Sequence, residues 1–367
     1  MTLYGDAVLG MEETNMKIAT ITYSWCQNWG AVLQAHALVQ YLRQNGHHAN
    51  VIDYRGFDEK VIYTVKSIPD GIYSILNYTA CKRRVQKFAE FRKNSMFLSR
   101  RCDTTEQLEA LEREFDAFIT GSDQVWNVGL GVCDDFYLQF IKDREKCISY
   151  AASFGVSEIP EKHQADTIRG INHIAQLSVR EKSGAEIINK LTGRECSIVL
   201  DPVFLLPVDY WKGFCDKCDL PHQKYVFVYP TQITNELLTA VKTIRKKTGL
   251  QVISPFKIPG AKVVKDIGPE EFVGYIRNAE YVIASSFHAT AFSVIFQKNL
   301  CVVPHKQTGA RVVDLLEALN LSEQCLWNGT NGIIDADYMG ANQILQNKVE
   351  ESKAFLLDAL DRVGGKK

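Results

Sequence analysis

The stretch Tyr281-Val-Ile-Ala-Ser-Ser-Phe-His-Ala-Thr-Ala-Phe-Ser-Val-Ile-Phe296 decides how the chain reads. Tyr281 to Ala284 is a short apolar run closed by serines, the pattern of a buried strand. Beyond the polar turn, Phe287, Ala291, Val294 and Ile295 recur at helical spacing. Ser285 or Ser286 is placed to cap that helix by accepting from its free backbone N–H groups. His288 then falls in the first turn, at the carboxyl end of a parallel strand, where open α/β sheets hold their ligands. A helix N-terminus favours an anion and disfavours a protonated imidazole. A neutral His288 beside an anion pocket is thus suited to act as a base near neutral pH. The other reading is a core histidine that hydrogen-bonds the turn.

The same alternation runs outward toward the N-terminus. Lys17 to Thr22 reads as a buried strand, followed by the aromatic and polar loop Tyr23-Ser-Trp-Cys-Gln-Asn-Trp-Gly30. Ala31 to Asn45 reads as an amphipathic helix, with Leu33, Ala37, Leu38, Tyr41 and Leu42 on one face and Gly46 ending it. Ala49 to Tyr54 completes a βαβ unit, which predicts a parallel sheet with right-handed crossovers. The loop lacks the G-x-G-x-x-G fingerprint of dinucleotide binding. Its Asn28 and Gly30 are still candidate ligand contacts, because a glycine at a helix start lets a ligand approach backbone N–H groups. Lys60 to Ser99 is less regular. Within it Tyr78 to Asn94 reads as a helix with Val85, Phe88 and Phe91 inward and Lys82, Arg83, Arg84 and Lys87 on a solvated face.

Phe115 to Thr120 is the next strand and runs into Gly121-Ser-Asp-Gln-Val-Trp-Asn127. Small and polar residues directly after a buried strand mark a ligand-facing loop, so Ser122, Asp123 and Gln124 are candidate contacts. Asp123 either orients a hydroxyl, serves as acid or base, or caps the turn. Ile148 to Ala152 and Leu177 to Val179 are strands, with a helix over Pro160 to His173 between them. Arg180 follows the second strand and is placed either to clamp a carboxylate or phosphate or to pair with Glu181 or Asp201. Helix Lys182 to Leu191 and strand Ser197 to Leu200 close this half.

After Pro202 the pattern restarts, so a boundary is placed near Leu206. Strands over Lys224 to Tyr229, Gln251 to Ser254 and Leu300 to Val303 alternate with helices over Asn235 to Lys247, Pro269 to Arg277 and Val312 to Leu319. Lys306 and Arg311 bracket a glycine-containing turn at the last of these helix starts, a candidate second anion site. Tyr338 to Val363 reads as a long terminal helix whose face Ile344, Val349, Leu356, Leu360 packs across both halves. The predicted organisation is a tail over 1–15, an N-terminal α/β domain over 16–205 on the acceptor side, a C-terminal α/β domain over 206–335 on the donor side, and a C-terminal helix over 336–367. Met16 is an alternative start. Two Rossmann-like domains facing across a cleft place a ligand between them by default.

With 367 residues, 46% hydrophobic, 23% charged and a formal net charge of −1, the chain is long enough for two cored domains and gives no reason to expect nucleic acid as a partner. Ten scattered cysteines suggest a reduced, cytoplasmic setting rather than a disulfide framework. Cys215-Asp-Lys-Cys218 lacks a second pair at zinc-ribbon spacing. No His, Asp or Glu cluster has metal-site spacing, so no essential metal is expected. No run reaches the 18 or so apolar residues that span a bilayer, and no basic segment precedes an apolar core as in a secretory signal.

Several landmarks together resemble the polysaccharide pyruvyl transferase family. They are Lys17-Ile-Ala-Thr-Ile-Thr-Tyr23, Asn28-Trp-Gly-Ala-Val-Leu-Gln-Ala-His-Ala-Leu38, Asn45-Gly-His47, Val51-Ile-Asp-Tyr-Arg55, Gly121-Ser-Asp-Gln-Val-Trp-Asn127, Tyr150-Ala-Ala-Ser-Phe-Gly155, Ser178-Val-Arg-Glu181, Asp201-Pro202, Ser286-Phe-His288 and Arg311 with Asp314-Leu-Leu316 and Leu319-Asn-Leu321. They occur in the family's order and cover most of 16–321. The resemblance implies a fold similar to the glycosyltransferase B architecture. It also implies transfer of a pyruvyl group from phosphoenolpyruvate to a sugar of a surface polysaccharide, such as a bacterial exopolysaccharide, or of its lipid-linked precursor. No cofactor is implied. One position departs from the pattern: Ser286 stands where many members carry arginine, and Lys306 or Arg311 is the candidate substitute.

Ketal formation from a multiply anionic donor needs cations and helix N-termini, for which Arg180, Lys306, Arg311 and the helix starting at Phe287, behind Ser286, are the candidates. His288 is the candidate proton carrier, with Asp123 as its partner or as an acceptor-sugar ligand. Trp25, Trp29 and Trp126 either stack on a sugar ring or pack. The competing readings are a nucleotide-sugar glycosyltransferase using the same cleft and a non-catalytic glycan-binding relative, with a dinucleotide oxidoreductase disfavoured by the missing fingerprint. The expected setting is cytoplasmic, including the inner membrane face, where a lipid-linked acceptor resides.

Overall fold

The computed structural model describes residues 15–56, 70–131, 134–305, 309–326 and 336–365. In the first half, five strands form a parallel sheet: β1 (Lys17–Ile21), β2 (His48–Tyr54), β3 (Leu98–Cys102), β4 (Ala117–Thr120) and β5 (Cys147–Ser149). They lie in the order β3-β2-β1-β4-β5, every pairing parallel. A two-stranded parallel extension, β6 (Ser178–Val179) and β7 (Ser197–Ile198), continues beyond β5. The helices of this half are α1 (Trp29–Gln44), α2 (Asp70–Ser95), α3 (Thr105–Glu109), α4 (Glu161–His173) and α5 (Lys182–Thr192).

The second half repeats the plan. Its strands are β8 (Tyr225–Tyr229), β9 (Gln251–Ser254), β10 (Lys262–Val263), β11 (Tyr281–Ala284) and β12 (Asn299–Val302), in the order β10-β9-β8-β11-β12. Around them lie α6 (Val208–Cys215), α7 (Asn235–Thr248), α8 (Pro269–Asn278), α9 (Phe287–Ile295) and α10 (Ala310–Ala318), followed by α11 (Met339–Gly364). In each sheet the strand order reverses beside the first strand, at β1/β4 and at β8/β11. The loops that leave β4 and β11 therefore sit at topological switch points, the places where such sheets open a ligand crevice.

The halves are joined by an aromatic seam. Trp29, in the first turn of α1, donates from its indole to the carbonyl of Ile267 at 3.1 Å and lies 5.6–5.9 Å, centroid to centroid, from Phe88, Tyr229 and Phe272. Trp211 of α6 is fully buried, donates to the carbonyl of Val203 at 2.9 Å and meets the ring of Phe292 edge-on at 4.8 Å. One apolar cluster thus runs from Ile18 and Leu38 of the first half to Phe227, Val282 and Leu300 of the second. Each such aromatic removes roughly 150–250 Å² from water, which at about 25 cal/mol/Å² is several kcal/mol per ring. Helix α11 then crosses back. Tyr338 donates to the carbonyl of Lys298 at 2.8 Å in the second half, whereas Ser352 accepts from the N–H of Leu200 at 2.9 Å in the first.

Four sequence expectations change here. Helix α2 begins at Asp70, and Val85 is 44% exposed, whereas Phe88 and Phe91 are buried as expected. The basic face of α2 is not merely solvated. Arg83 pairs with Asp266 at 2.7 Å and Lys87 pairs with Glu271, so this face is tied to the second half, and the Arg84 guanidinium lies 5.8 Å from the Trp29 ring at the seam. Strand β3 went unanticipated because Leu98-Ser-Arg-Arg-Cys102 is a polar edge strand without an apolar run. Helix α6 was hidden because Val208 to Cys215 is only 8 residues long and owes its helicity to the burial of Trp211 and Cys215. Among the described residues no helix is long and apolar enough to cross a membrane.

Candidate active site

Four strand-to-helix junctions converge. After β1, Asn28 caps α1 by accepting from the N–H groups of Gly30 and Ala31. After β4, the loop is held by Thr22, which donates to the carbonyl of Ser122 at 2.9 Å. Asp123 adopts φ 76° and Ala151, in the facing loop, φ 53°. Such backbone is costly for residues with a Cβ and persists where surrounding structure imposes it, commonly at functional sites. Here the imposing contacts are the Asp123 carboxylate accepting from the N–H of Gln124 at 2.9 Å and the Asp123 carbonyl accepting from Ser153 at 3.0 Å. After β6 come Arg180 and Glu181, and after β11 comes the capping Ser286, whose hydroxyl accepts from the N–H of Ala289 at 3.1 Å.

At the centre is Asp201, fully buried. Its Oδ2 accepts from Nη1 of Arg180 at 2.6 Å and from the hydroxyl of Ser122 at 2.9 Å, and its Oδ1 accepts from the N–H of Val203 at 3.2 Å. Nε2 of His288 lies 3.3 Å from the same Oδ2, without a well-formed hydrogen bond. The Arg180 side chain is 1% exposed. Its guanidinium lies 4.3 Å from the ring centroid of Phe287, with Glu181 at 3.8 Å and Asp123 at 3.9 Å. Nη1 also donates to Ser122, but Nε and Nη2 are buried without hydrogen-bond partners, as are Oε2 of Glu181 and Nε of Arg311.

The electrostatics follow from this crowding. Burial pushes the Asp201 carboxyl up, but the charges of His288 and Arg180 outweigh it and hold the group below the ordinary carboxylate range. Burial likewise disfavours the Arg180 charge, and Asp201, Glu181 and Asp123 more than restore it. For Arg311 the same three carboxylates compensate only in part. Burial and the nearby Arg180 pull it down to about 10. Arg311 is half-buried overall, yet its Nε is sealed from solvent. An anion placed between the two guanidinium groups would relieve that repulsion.

A cavity of about 310 Å³ borders this cluster. Arg180, Asp201, Phe287 and Arg311 form one side, and Leu315 of α10 and Lys348 of α11 lie among the others. His288 and Asp123 are not in its walls and contact the cluster from elsewhere.

The structure brings Asn28, Gly30, Ser122, Asp123, Gln124, Arg180, Ser286, Phe287 and His288 to these junctions, and Arg311 of α10 shares the cavity wall with Arg180. Asn28 and Ser286 act there as helix caps. Gly30 makes room for His288, since a Cβ at position 30 would collide with the imidazole, and Gln124 fills the space above Gly155 in the same way. Lys306 lies outside the described residues. Of the tryptophans, Trp29 belongs to the seam, and Trp126 stacks on Tyr137 at 5.2 Å and donates to the carbonyl of Phe136. Trp25 lies beneath the guanidinium groups of Arg55 and Arg92, at 3.4 and 4.7 Å. The residue that sequence reasoning underweighted is Asp201, treated there only as an ion-pair partner. Its signal was an aspartate directly after a strand and before Pro202. Among the described residues no group of three or more His, Cys, Asp or Glu side chains is placed to hold a metal ion.

A family model described as polysaccharide pyruvyl transferase matches residues 28–307. Among curated proteins none matches the chain. Among solved structures, a putative UDP-N-acetylglucosamine 2-epimerase from Listeria monocytogenes is 10% identical, covering 95% of this chain and 90% of that one with a TM-score of 0.50. The UDP complex of MnaA from S. aureus is 13% identical, covering 93% and 88% with a TM-score of 0.50. At such identities the likeness concerns the fold alone, which is of the glycosyltransferase B type.

Proposed function

Because the chain belongs to the polysaccharide pyruvyl transferase family, we propose that it moves the pyruvyl group of phosphoenolpyruvate onto two hydroxyls of one sugar residue. The acceptor is a surface polysaccharide or its lipid-linked precursor. The observation that carries this reading is the pair of arginines beside His288. Nε and Nη2 of Arg180 and Nε of Arg311 are sealed from solvent with no hydrogen-bond partner. A buried, unsatisfied donor on a charged group costs on the order of 1–3 kcal/mol or more. A small multiply charged anion that accepts from both side chains recovers that cost. The cavity that both arginines line, about 310 Å³ and at the low end of the roughly 300–1,000 Å³ usual for ligand pockets, would take the donor's carboxylate and phosphate, with its methylene carbon turned toward His288 beyond the cavity wall.

In this reading Arg180 and Arg311 hold the donor's carboxylate and phosphate, and Arg311 supplies the cation absent at Ser286. His288 gives its proton to the methylene carbon of the donor while the first sugar hydroxyl bonds to the adjacent carbon. The bond to the phosphate oxygen then breaks, and the second hydroxyl closes the ketal. Of the two hydroxyl protons released, one restores His288 and the other leaves with phosphate. Asp123, held in strained backbone at the loop after β4, orients the acceptor hydroxyl.

The test is incubation with phosphoenolpyruvate and a panel of labelled bacterial glycans. The expected result is phosphate release that depends on one glycan class, with a matching gain of ketal-linked pyruvate by mass spectrometry. Sugar transfer from a nucleotide sugar, with phosphoenolpyruvate left intact, would overturn the reading.

A further inference from the structure

His288 is carried by the second half of the chain, where Phe287 meets its ring edge-on at 5.4 Å, but two further contacts come from the first. On one side the imidazole fills the notch left by the missing side chain of Gly30, in the first turn of α1. On the other, Nε2 faces Oδ2 of Asp201 at 3.3 Å. Asp201 is itself fixed from three directions. Arg180 at 2.6 Å and Ser122 at 2.9 Å reach its Oδ2, and the N–H of Val203 reaches its Oδ1 at 3.2 Å. A fully buried carboxylate with this many donors is an expensive feature for a purely structural role, since Val203 or Ser122 alone would satisfy a neutral side chain.

We propose that Asp201 is the positioning residue for His288. From the first half its carboxylate accepts the Nε2–H of the imidazole, fixing the tautomer and leaving Nδ1 to move the proton. The 3.3 Å separation tightens to a full hydrogen bond when donor and acceptor are bound, as such contacts commonly do. The group that carries the proton is then assembled only where the two halves meet over Gly30 and Asp201. This rests on the reading of His288 as proton carrier. The charged groups in the surrounding cluster are Asp201 after β7, Arg180 and Glu181 after β6, Asp123 after β4 and Arg311 in α10. Of these, Asp201 is in ion-pair contact with the ring.

Two measurements test it. The first needs no variant and no turnover. Nitrogen-15 NMR of histidine-labelled protein, with the His288 signals identified by their loss in His288→Gln, reads the tautomer directly. The neutral ring is expected as the Nε2–H form, and an Nδ1–H form overturns the proposal whether or not phosphoenolpyruvate is the donor. The second is Asp201→Asn. This variant keeps the shape of the side chain but removes the carboxylate, so the neutral His288 ring should lose its preference for the Nε2–H form. Where glycan pyruvylation is measurable, kcat should fall on the order of 10²–10⁴-fold, with a smaller change in KM for phosphoenolpyruvate. An unchanged His288 tautomer in folded Asp201→Asn overturns the proposal. If that variant does not fold, the wild-type tautomer decides.

Discussion

The imidazole of His288 occupies the space that a side chain at residue 30 would need. A Cβ on Gly30 would collide with Nδ1, Cγ and Cε1 of the ring. The glycine is required here by close approach between the two halves, because Gly30 lies in the regular first turn of α1. Gly30→Ala should therefore displace the imidazole from Asp201 without unfolding the chain. A displacement of about 1 Å costs on the order of 10²-fold in rate. Circular dichroism should remain native while kcat for glycan pyruvylation falls by that factor. Native activity in Gly30→Ala would mean that the ring has another productive position.

Trp29 makes a different kind of contact across the same boundary. It is buried, bonded to the Ile267 carbonyl and surrounded by Phe88, Tyr229 and Phe272. Trp29→Ala leaves a cavity in the seam and an orphaned carbonyl, and should lower stability by about 3–5 kcal/mol in urea unfolding. A loss below about 1 kcal/mol would show that the halves are held together elsewhere, through α11.

The ion pairs on α2 should matter far less. Arg83 and Asp266 lie 2.7 Å apart, but the arginine side chain is half exposed. Exposed pairs contribute about 0.2–1 kcal/mol and are screened by salt. Arg83→Ala should shift the unfolding midpoint only within that range, and molar salt should erase the difference. A loss comparable to that of Trp29→Ala would make the pair a principal tie between the halves.

Acid should expose the Asp201 hub. Burial pushes its carboxyl up, but His288 and Arg180 hold it below the ordinary range in the folded chain. A depressed folded value stabilises fully above the unfolded value, near 3.9. That contribution is lost as the pH falls from there toward the folded value. The loss of stability below about pH 4 should thus be steeper in wild type than in Asp201→Asn, which has no proton to take up at this position. Equal slopes would remove Asp201 from the account of acid unfolding.

How much of this was legible in the sequence depends on the kind of signal. Tyr281 to Phe296 was read correctly as strand, capped turn and helix because apolar period and cap chemistry agree locally, down to Ser286 accepting from Ala289. The polar loops at strand ends were found for the same reason. Strand β3 and helix α6 were missed because each takes its structure from what it packs against. The basic face of α2 was read as solvated because its partners Asp266 and Glu271 lie more than 180 residues away. Asp201 was seen as a possible partner of Arg180. No local pattern announces that one carboxylate also meets Ser122 and His288, which come from two other parts of the chain.

The central claim is that Arg180 and Arg311 form a donor site for phosphoenolpyruvate, and thermal stability tests it most directly. Arg311 has no ion pair among the described residues and is pulled down by burial and by Arg180, so Arg311→Ala should fold at least as well as wild type. A ligand that binds only the folded chain adds about 2.7 kcal/mol at 100 times its Kd. Millimolar phosphoenolpyruvate should raise the Tm of wild type, and this gain should be largely lost in Arg311→Ala, with UDP-sugars giving no comparable shift. A shift from a UDP-sugar and none from phosphoenolpyruvate would contradict the account.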